Sequence, residues 1–414
     1  MTELLISKID SPEFHALFTP QLEILIKVFK KHNHMLRITG GAVRDLLMGI
    51  GPTDIDFATT ASPEEMKVIF TEEGIRMINL NGEKHKTVTV RINDKENFEI
   101  STLRTDSAIV KGAATQELNS YWQQDANKRD LTINAMFLDF DGVLYDYVSG
   151  QENLKSKVVR FVDNPEDRIQ EDYLRILRYF RFWGKIASAS SQHNPDTLLV
   201  IKNNAHGLSN VSGERIWQEL KKIVNGPLTA DMMSTMFHLG ILSYIGLPKT
   251  SNINEFQKVC DNCQQLSPSP ITLITALLET NNELLNFQSR VKISTDELRQ
   301  GTFIIQQRNT LNATDDNISY CQQLLMDRKE HNIKSYIKEL LKYNGKHDVL
   351  KTFDHWDPPK FPVSGHDLLA RNVPKGSLFQ KIISKLKCIW KESNYSMKKD
   401  DLLDMVEQIL ENLK

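Results

Sequence analysis

The chain has 414 residues, of which 40% are hydrophobic and 25% charged, with a formal net charge of −2. That length is more than one core usually needs and implies two or more packed units in an ordinary globular protein. No run of about eighteen apolar residues offers a membrane span, and the near-neutral charge means that any nucleic-acid partner must be argued from local patches.

The first residues, MTELLISKID, carry neither a signal-peptide core nor an Arg-rich transit pattern. A cytoplasmic location is expected, or the mitochondrial matrix if a targeting segment lies outside this sequence. The four cysteines are Cys260, Cys263, Cys321 and Cys388. They make one CxxC with no second pair to complete a zinc site, so they are expected to be reduced thiols in a reducing compartment.

In chain order, MLRIT (35–39) reads as a short strand and AVRDLLMG as a helix start, with Gly40 and Gly41 between them. TVTVRI (87–92) and NFEISTL (97–103) are β-rich runs joined by NDKE, a hairpin signal. LTINAMFLDF (131–140) and GVLYDYV (142–148) form a second pair turning at Asp141-Gly142. From about residue 165 the pattern becomes helical, with Ile169, Leu174, Leu177 and Phe180 at helical spacing. Loop signals fall at Asn225-Gly226-Pro227, Ser267–Pro270 and Asp357–Pro362. The expected organisation is an α/β head followed by helical units.

The most informative stretch is TGGAVRDLLMGIGPTDIDFAT (39–59). Gly40 and Gly41 sit between a strand and a helix, where the missing Cβ lets backbone amides approach a phosphate. The helix start adds partial positive charge, and Arg44 on its first turn offers a planar fork of donors. Asp54 and Asp56 are two apart in a strand-like run, a spacing that puts both carboxylates on one face. Carboxylates that close repel unless a cation separates them. Oxygen ligands favour Mg²⁺, which also gathers triphosphate oxygens, and a pair of such ions can activate a 3′-hydroxyl and stabilise leaving pyrophosphate. Glu99, mid-strand in NFEISTL, is either a third catalytic carboxylate or a charge facing water.

GGAVRDLL with DIDFAT, then DANKRDLTINAM (125–136) and EDYLRILRYFRF (171–182), resemble the class II tRNA nucleotidyltransferases, the CCA-adding enzymes. RMINLNGEKHKTVTV, SGERIWQELKKI and FPVSGHDLL are similar to the eukaryotic and mitochondrial members. The resemblance runs through nearly the whole chain. It implies an α+β protein: a DNA polymerase β-like head with a small mixed sheet (1–150), then an all-helical neck (151–225), body (226–330) and tail (331–414). It implies CTP- and ATP-dependent, template-independent addition of C, C and A to a tRNA that lacks a complete CCA end, with Mg²⁺ as cofactor. The chain is expected to act as a monomer or weak homodimer away from membranes. A poly(A) polymerase, a partial CC- or A-adding enzyme of the same superfamily, or a non-catalytic tRNA-binding protein are the alternatives.

By the same resemblance, Asp54 and Asp56 match metal ligands and Glu99 the third acidic residue. Gly41 and Arg44 match triphosphate contacts, Arg129, Asp130 and Asn134 the motif that holds sugar and phosphates, and Asp172, Arg175, Arg178 and Arg181 the neck residues that handle base and triphosphate. Two departures stand out. Lys128 replaces an arginine, keeping charge but losing the fork. SAIVKGAATQELNS (107–120) lacks the Asp-Gly-Arg usual in the family's flexible loop.

Asp172 offers acceptors and Arg175 donors, and on a helix residues three apart are neighbours. Cytosine and adenine each present an amino donor beside a ring-nitrogen acceptor, so both fit that edge. Uracil and guanine present a carbonyl where Asp172 needs a donor.

In the tail, Lys381, Lys385, Lys387, Lys391, Lys398 and Lys399 are either RNA contacts or a solubilising face. Ser212 is placed to cap a helix carrying Arg215, and Trp217 is expected in a core. The dipeptides His347-Asp348 and His366-Asp367 lack the further ligands of a metal phosphohydrolase, and no GxGxxG or GxxxxGK[ST] is present.

Overall fold

A computed structural model describes residues 4–78, 86–107, 109–110, 114–188, 192–327, 331–374, 376–393 and 395–412. The chain forms two compact units, Met1–Ile245 and Gly246–Lys414. The first carries an eight-stranded sheet and then helices; the second is helical. Part of the 107–120 loop, at residues 108 and 111–113, lies outside the described residues.

The strands are β1 (Leu5–Lys8), β2 (Leu36–Thr39), β3 (Asp56–Thr59), β4 (Arg76–Ile78), β5 (Thr87–Ile92), β6 (Glu96–Thr102), β7 (Met136–Leu138) and β8 (Val143–Asp146). Their spatial order is β1-β8-β7-β2-β3-β6-β5-β4. Neighbours are antiparallel except β3 and β6, which run parallel. Successive residues of a strand face opposite sides, so the register sorts the sheet into two faces. Leu144, Leu138, Ile38, Phe57, Ile100 and Val88 lie in one row across six strands. All six are buried in one apolar cluster with Leu25, Phe29, Met66 and Phe70 of the helices Pro20–Lys31 and Pro63–Glu72. The opposite face carries a smaller cluster, in which Ala58 and Phe137 pack with Tyr121, Trp122 and Ala126 of the helix Thr115–Asn127.

The hairpin expected at NDKE forms, with Asn93 and Asp94 both at positive φ. That conformation matches the right-handed twist of the strands it joins. The run 131–140 is not one strand. Leu131 bridges to Phe161 and the Thr132 amide bonds to the Arg160 carbonyl, so Thr132–Asn134 closes into a 3₁₀ turn and β7 begins only at Met136. The helical pattern from 165 also breaks. The helix Pro165–Glu171 ends at Asp172, whose backbone is extended, and a second helix spans Arg175–Ile186. The Asp172 carboxylate accepts from the Leu174 amide at 3.2 Å, a local bond that competes with helix continuation.

Ser212 caps the helix Gly213–Val224 and Trp217 is buried, as the sequence implies. In the second unit Cys260, Cys263 and Cys321 are unpaired thiols whose pKa values burial pushes up to about 12. Asp367 of the second HD dipeptide serves as a helix cap and pairs with Lys399. In the helix Ser377–Glu392, Lys381, Lys385 and Lys387 are exposed while Ile382, Leu386 and Trp390 are buried. Lys391 pairs with Asp327. Among the described residues no helix is long and apolar enough to cross a membrane.

Gly142 makes the β7–β8 turn possible. Its φ is +80°, and a Cβ would lie 2.3 Å from the Ile9 carbonyl oxygen. Gly142→Ala is expected to destabilise the first unit by more than about 2 kcal/mol, read as a lowered thermal unfolding midpoint.

Candidate active site

The row next to the apolar one holds the acids. Tyr145, Phe137, Thr39, Asp56, Glu99 and Thr89 are in register across the same six strands. Asp56 and Glu99 are direct partners across the parallel β3–β6 pair, so register alone brings two carboxylates to one face. Asp54 is not in the strand; it lies in the bend before β3. It is nonetheless close enough for its charge to act on Asp56. Asp54, Asp56 and Glu99 are all exposed residues.

Neighbouring protein atoms that displace water raise the Asp56 carboxyl above its ordinary value, Arg129 pulls it back, and Asp54 pushes it up further. Glu99 is raised by the same loss of water and by the Asp56 charge. These carboxylates therefore sit in a field that disfavours their charge. Their donor set is all oxygen, which fits a hard divalent cation. Among the described residues no group of three or more His, Cys, Asp or Glu side chains is placed to hold a metal ion.

Beside the acids stands a set of arginines. Gly40, at φ +69°, precedes the helix Gly41–Leu47. From that helix Arg44, 4% exposed, donates through Nη1 to Asn134 Oδ1 at 2.6 Å and through Nε and Nη2 to Asp45 at 3.1 and 2.9 Å. The 3₁₀ turn that interrupts the expected strand is what places Asn134 there. Arg129 donates to Asp125 at 2.9 Å and to the Asn134 carbonyl at 3.3 Å. Arg178 donates to Asp130 at 2.5 Å. Burial pushes Asp130 up, but Arg178, the Leu131 amide and Arg175 bring its carboxyl below the usual range. Arg181 donates to both Glu219 oxygens at 3.1 Å.

Asp172 and Arg175 are not paired to each other by their side chains. Because the helix breaks between them, the Asp172 carboxylate takes Arg215 at 2.7 Å. Arg175 donates to Glu171 at 2.7 Å and to the carbonyls of Arg168 and Lys128 at 2.9 and 3.2 Å. The two side chains are therefore not the neighbours that one unbroken helix would make them. Lys128 turns its ammonium to Asp106 at 2.5 Å.

Residues 36–160 match the family described as "Poly A polymerase head domain", and residues 194–252 match "Probable RNA and SrmB- binding site of polymerase A". The human protein named CCA tRNA nucleotidyltransferase 1, mitochondrial, is 47% identical over 404 residues, covering 97% of this chain and 93% of the human one. The chain belongs to the CCA tRNA nucleotidyltransferases. Two solved CCA-adding enzymes share the fold. The Thermotoga maritima enzyme complexed with tRNA has TM-score 0.72 at 18% identity, covering 99% of both chains. The Bacillus stearothermophilus enzyme in complex with CTP has TM-score 0.72 at 22% identity, covering 97% of this chain and 99% of that one.

Several side chains that pair within this candidate site carry no site role on sequence grounds. Asp45, Asp125, Glu219, Lys185 and Arg215 each pair with a candidate residue or with its partner. Asp125 stands four residues before Arg129, a helical ion-pair spacing that the sequence does display.

The raised carboxyl of Asp56 has a thermodynamic consequence. An acid whose folded pKa lies above its unfolded value contributes stability below the unfolded pKa and loses it as pH rises through the folded pKa. In metal-free protein, Asp56→Asn should therefore raise the thermal midpoint at pH 7. That gain should shrink to nothing as pH falls below the ordinary aspartate pKa. Midpoints measured across that range in a chelator-containing buffer check it.

Proposed function

We propose that this chain adds C, C and A in turn to the 3′ end of tRNA, using CTP and ATP and releasing pyrophosphate. The observation that carries the reading is the in-register Asp56–Glu99 pair, with Asp54 beside it and the Arg129 charge acting on Asp56, together with arginines each held by its own partner. Membership of the family supports the substrate class.

Asp54 and Asp56 would hold Mg²⁺, with Glu99 adding negative charge from the next strand. When bound there, Mg²⁺ supplies polarisation of phosphoryl oxygens and of the attacking hydroxyl. The 3′-oxygen of the tRNA bonds to the α-phosphorus, the bond to the β-phosphate oxygen breaks, and pyrophosphate leaves. Gly40 and Gly41 leave room for the triphosphate beside Arg44. Arg44, Arg129, Arg178 and Arg181 bind its charge, and Asp130 and Asn134 keep Arg178 and Arg44 aimed. Preformed pairing keeps reorganisation on binding small.

Asp172 accepts from the amino group of cytosine or adenine, and Arg175, released from Glu171 and the carbonyls of Arg168 and Lys128, donates to the neighbouring ring nitrogen. Arg215 keeps the Asp172 carboxylate in place for that contact. A mismatched carbonyl leaves two buried polar groups unsatisfied at about 1–3 kcal/mol each, enough for roughly 10²- to 10⁴-fold discrimination. The ordering C, C, A must come from the growing 3′ end or a change in the pocket. We further propose that the functional division follows head (1–150), neck (151–225), body (226–330) and tail (331–414), with the exposed tail lysines meeting tRNA. We place the enzyme, as monomer or weak homodimer, in a reducing aqueous compartment. This is the cytosol or the mitochondrial matrix; the human relative's name calls it mitochondrial.

A tRNA transcript lacking CCA, given CTP and ATP, should gain three nucleotides and stop; continued A addition would favour a poly(A) polymerase. Asp56→Ala should lower turnover at least about 10³-fold while tRNA binding, measured by gel shift, changes little. Asp172→Ala should raise UTP incorporation relative to CTP by about 10-fold or more, read by single-nucleotide extension.

A further inference from the structure

Three guanidiniums of the site share one aromatic ring. The Cζ atoms of Arg44, Arg178 and Arg181 lie 4.8, 5.4 and 4.7 Å from the centroid of Phe182. Phe182 is 3% exposed, on the buried side of the helix Arg175–Ile186. Cations are drawn to an aromatic face by its quadrupole. Each of the three arginines also has a carboxylate partner: Asp45, Asp130 and Glu219. Each guanidinium is thus restrained twice, once by its own acid and once by the common ring.

The arrangement answers a physical difficulty. Three like charges converging on one point repel, and the Arg178 and Arg181 charges do act on Arg44. Carboxylates alone would let each guanidinium follow its acid away from the others. A shared ring gives all three a common attractive centre without consuming a further N–H donor, so the donors not already given to Asp45, Asn134, Asp130 and Glu219 stay available to phosphate oxygens.

We infer that Phe182 is a positioning residue for the triphosphate, acting through Arg44, Arg178 and Arg181. The inference rests on the proposed role of those arginines. A methionine or leucine fills similar apolar space but lacks the π face. A merely space-filling role would be served by either residue.

The test uses the full-length enzyme with Phe182→Met and Phe182→Tyr, with Phe182→Leu as a second non-aromatic variant should the methionine variant fail to fold. Thermal midpoints identify folded variants. The readouts are KM and kcat for CTP addition to tRNA, and inhibition by inorganic pyrophosphate. The non-aromatic variant should raise KM about tenfold, equivalent to about 1.4 kcal/mol, and weaken pyrophosphate inhibition by a similar factor. Its kcat at saturating CTP should fall much less, and Phe182→Tyr should restore both binding parameters. A folded methionine or leucine variant with unchanged KM and unchanged pyrophosphate inhibition would overturn the inference. Failure of the unsubstituted enzyme to extend tRNA would instead overturn the proposed function, so the two failures are distinguishable.

Discussion

The site depends on negative charge that the fold forces together. In a sheet whose other pairings are antiparallel, β3 and β6 run parallel and bring Asp56 and Glu99 face to face. Asp54 adds a third acid from the preceding bend. Loss of water and mutual repulsion raise the carboxyls of Asp56 and Glu99. Such a cluster is tolerated because the neighbouring row, from Leu144 to Val88, is wholly buried in the main core. The stability of that core holds the acids in register against their repulsion. A divalent cation held there would relieve that repulsion, as the proposed function requires.

The positive side follows the opposite rule. Arg44 and Arg129 each meet a carboxylate close by in the chain, Arg178 and Arg181 each meet one from a distant segment, and Asp130 and Asp125 are nearly fully buried. A buried charge is tolerated only when paired and hydrogen-bonded. The result is an array whose geometry exists before the nucleotide arrives. Unrelieved acids on one side and pre-paired bases on the other suit a substrate that brings both a polyanion and its cation.

Much of this was legible in the sequence. The paired glycines, Arg44 and the DxD spacing marked the candidate site, although Asp54 lies in the bend before β3 and not on its face. The β-rich runs 87–92 and 97–103, joined by NDKE, marked the hairpin that carries Glu99. The register that sets Asp56 against Glu99 was not legible, since it arises from a parallel pairing between strands forty residues apart. The turn at Thr132–Asn134 was hidden for a similar reason: LTINAM has strand-like composition, and only the long-range bridge from Leu131 to Phe161 interrupts it. The break at Asp172 had a local cause, yet the apolar spacing of Ile169, Leu174, Leu177 and Phe180 concealed it. The partner of Asp172 is therefore Arg215, from a helix some forty residues later, and no spacing rule reaches that far.

The central claim is that Asp54 and Asp56 jointly hold divalent cation against a nucleoside triphosphate. The most direct measurement is Mn²⁺ uptake followed by electron paramagnetic resonance, with CTP present, for the native chain and for the D54N/D56N double variant. The account predicts protein-bound Mn²⁺ in the native chain beyond what CTP alone retains, and none beyond that level in the folded variant. Equal uptake by the two proteins would contradict it.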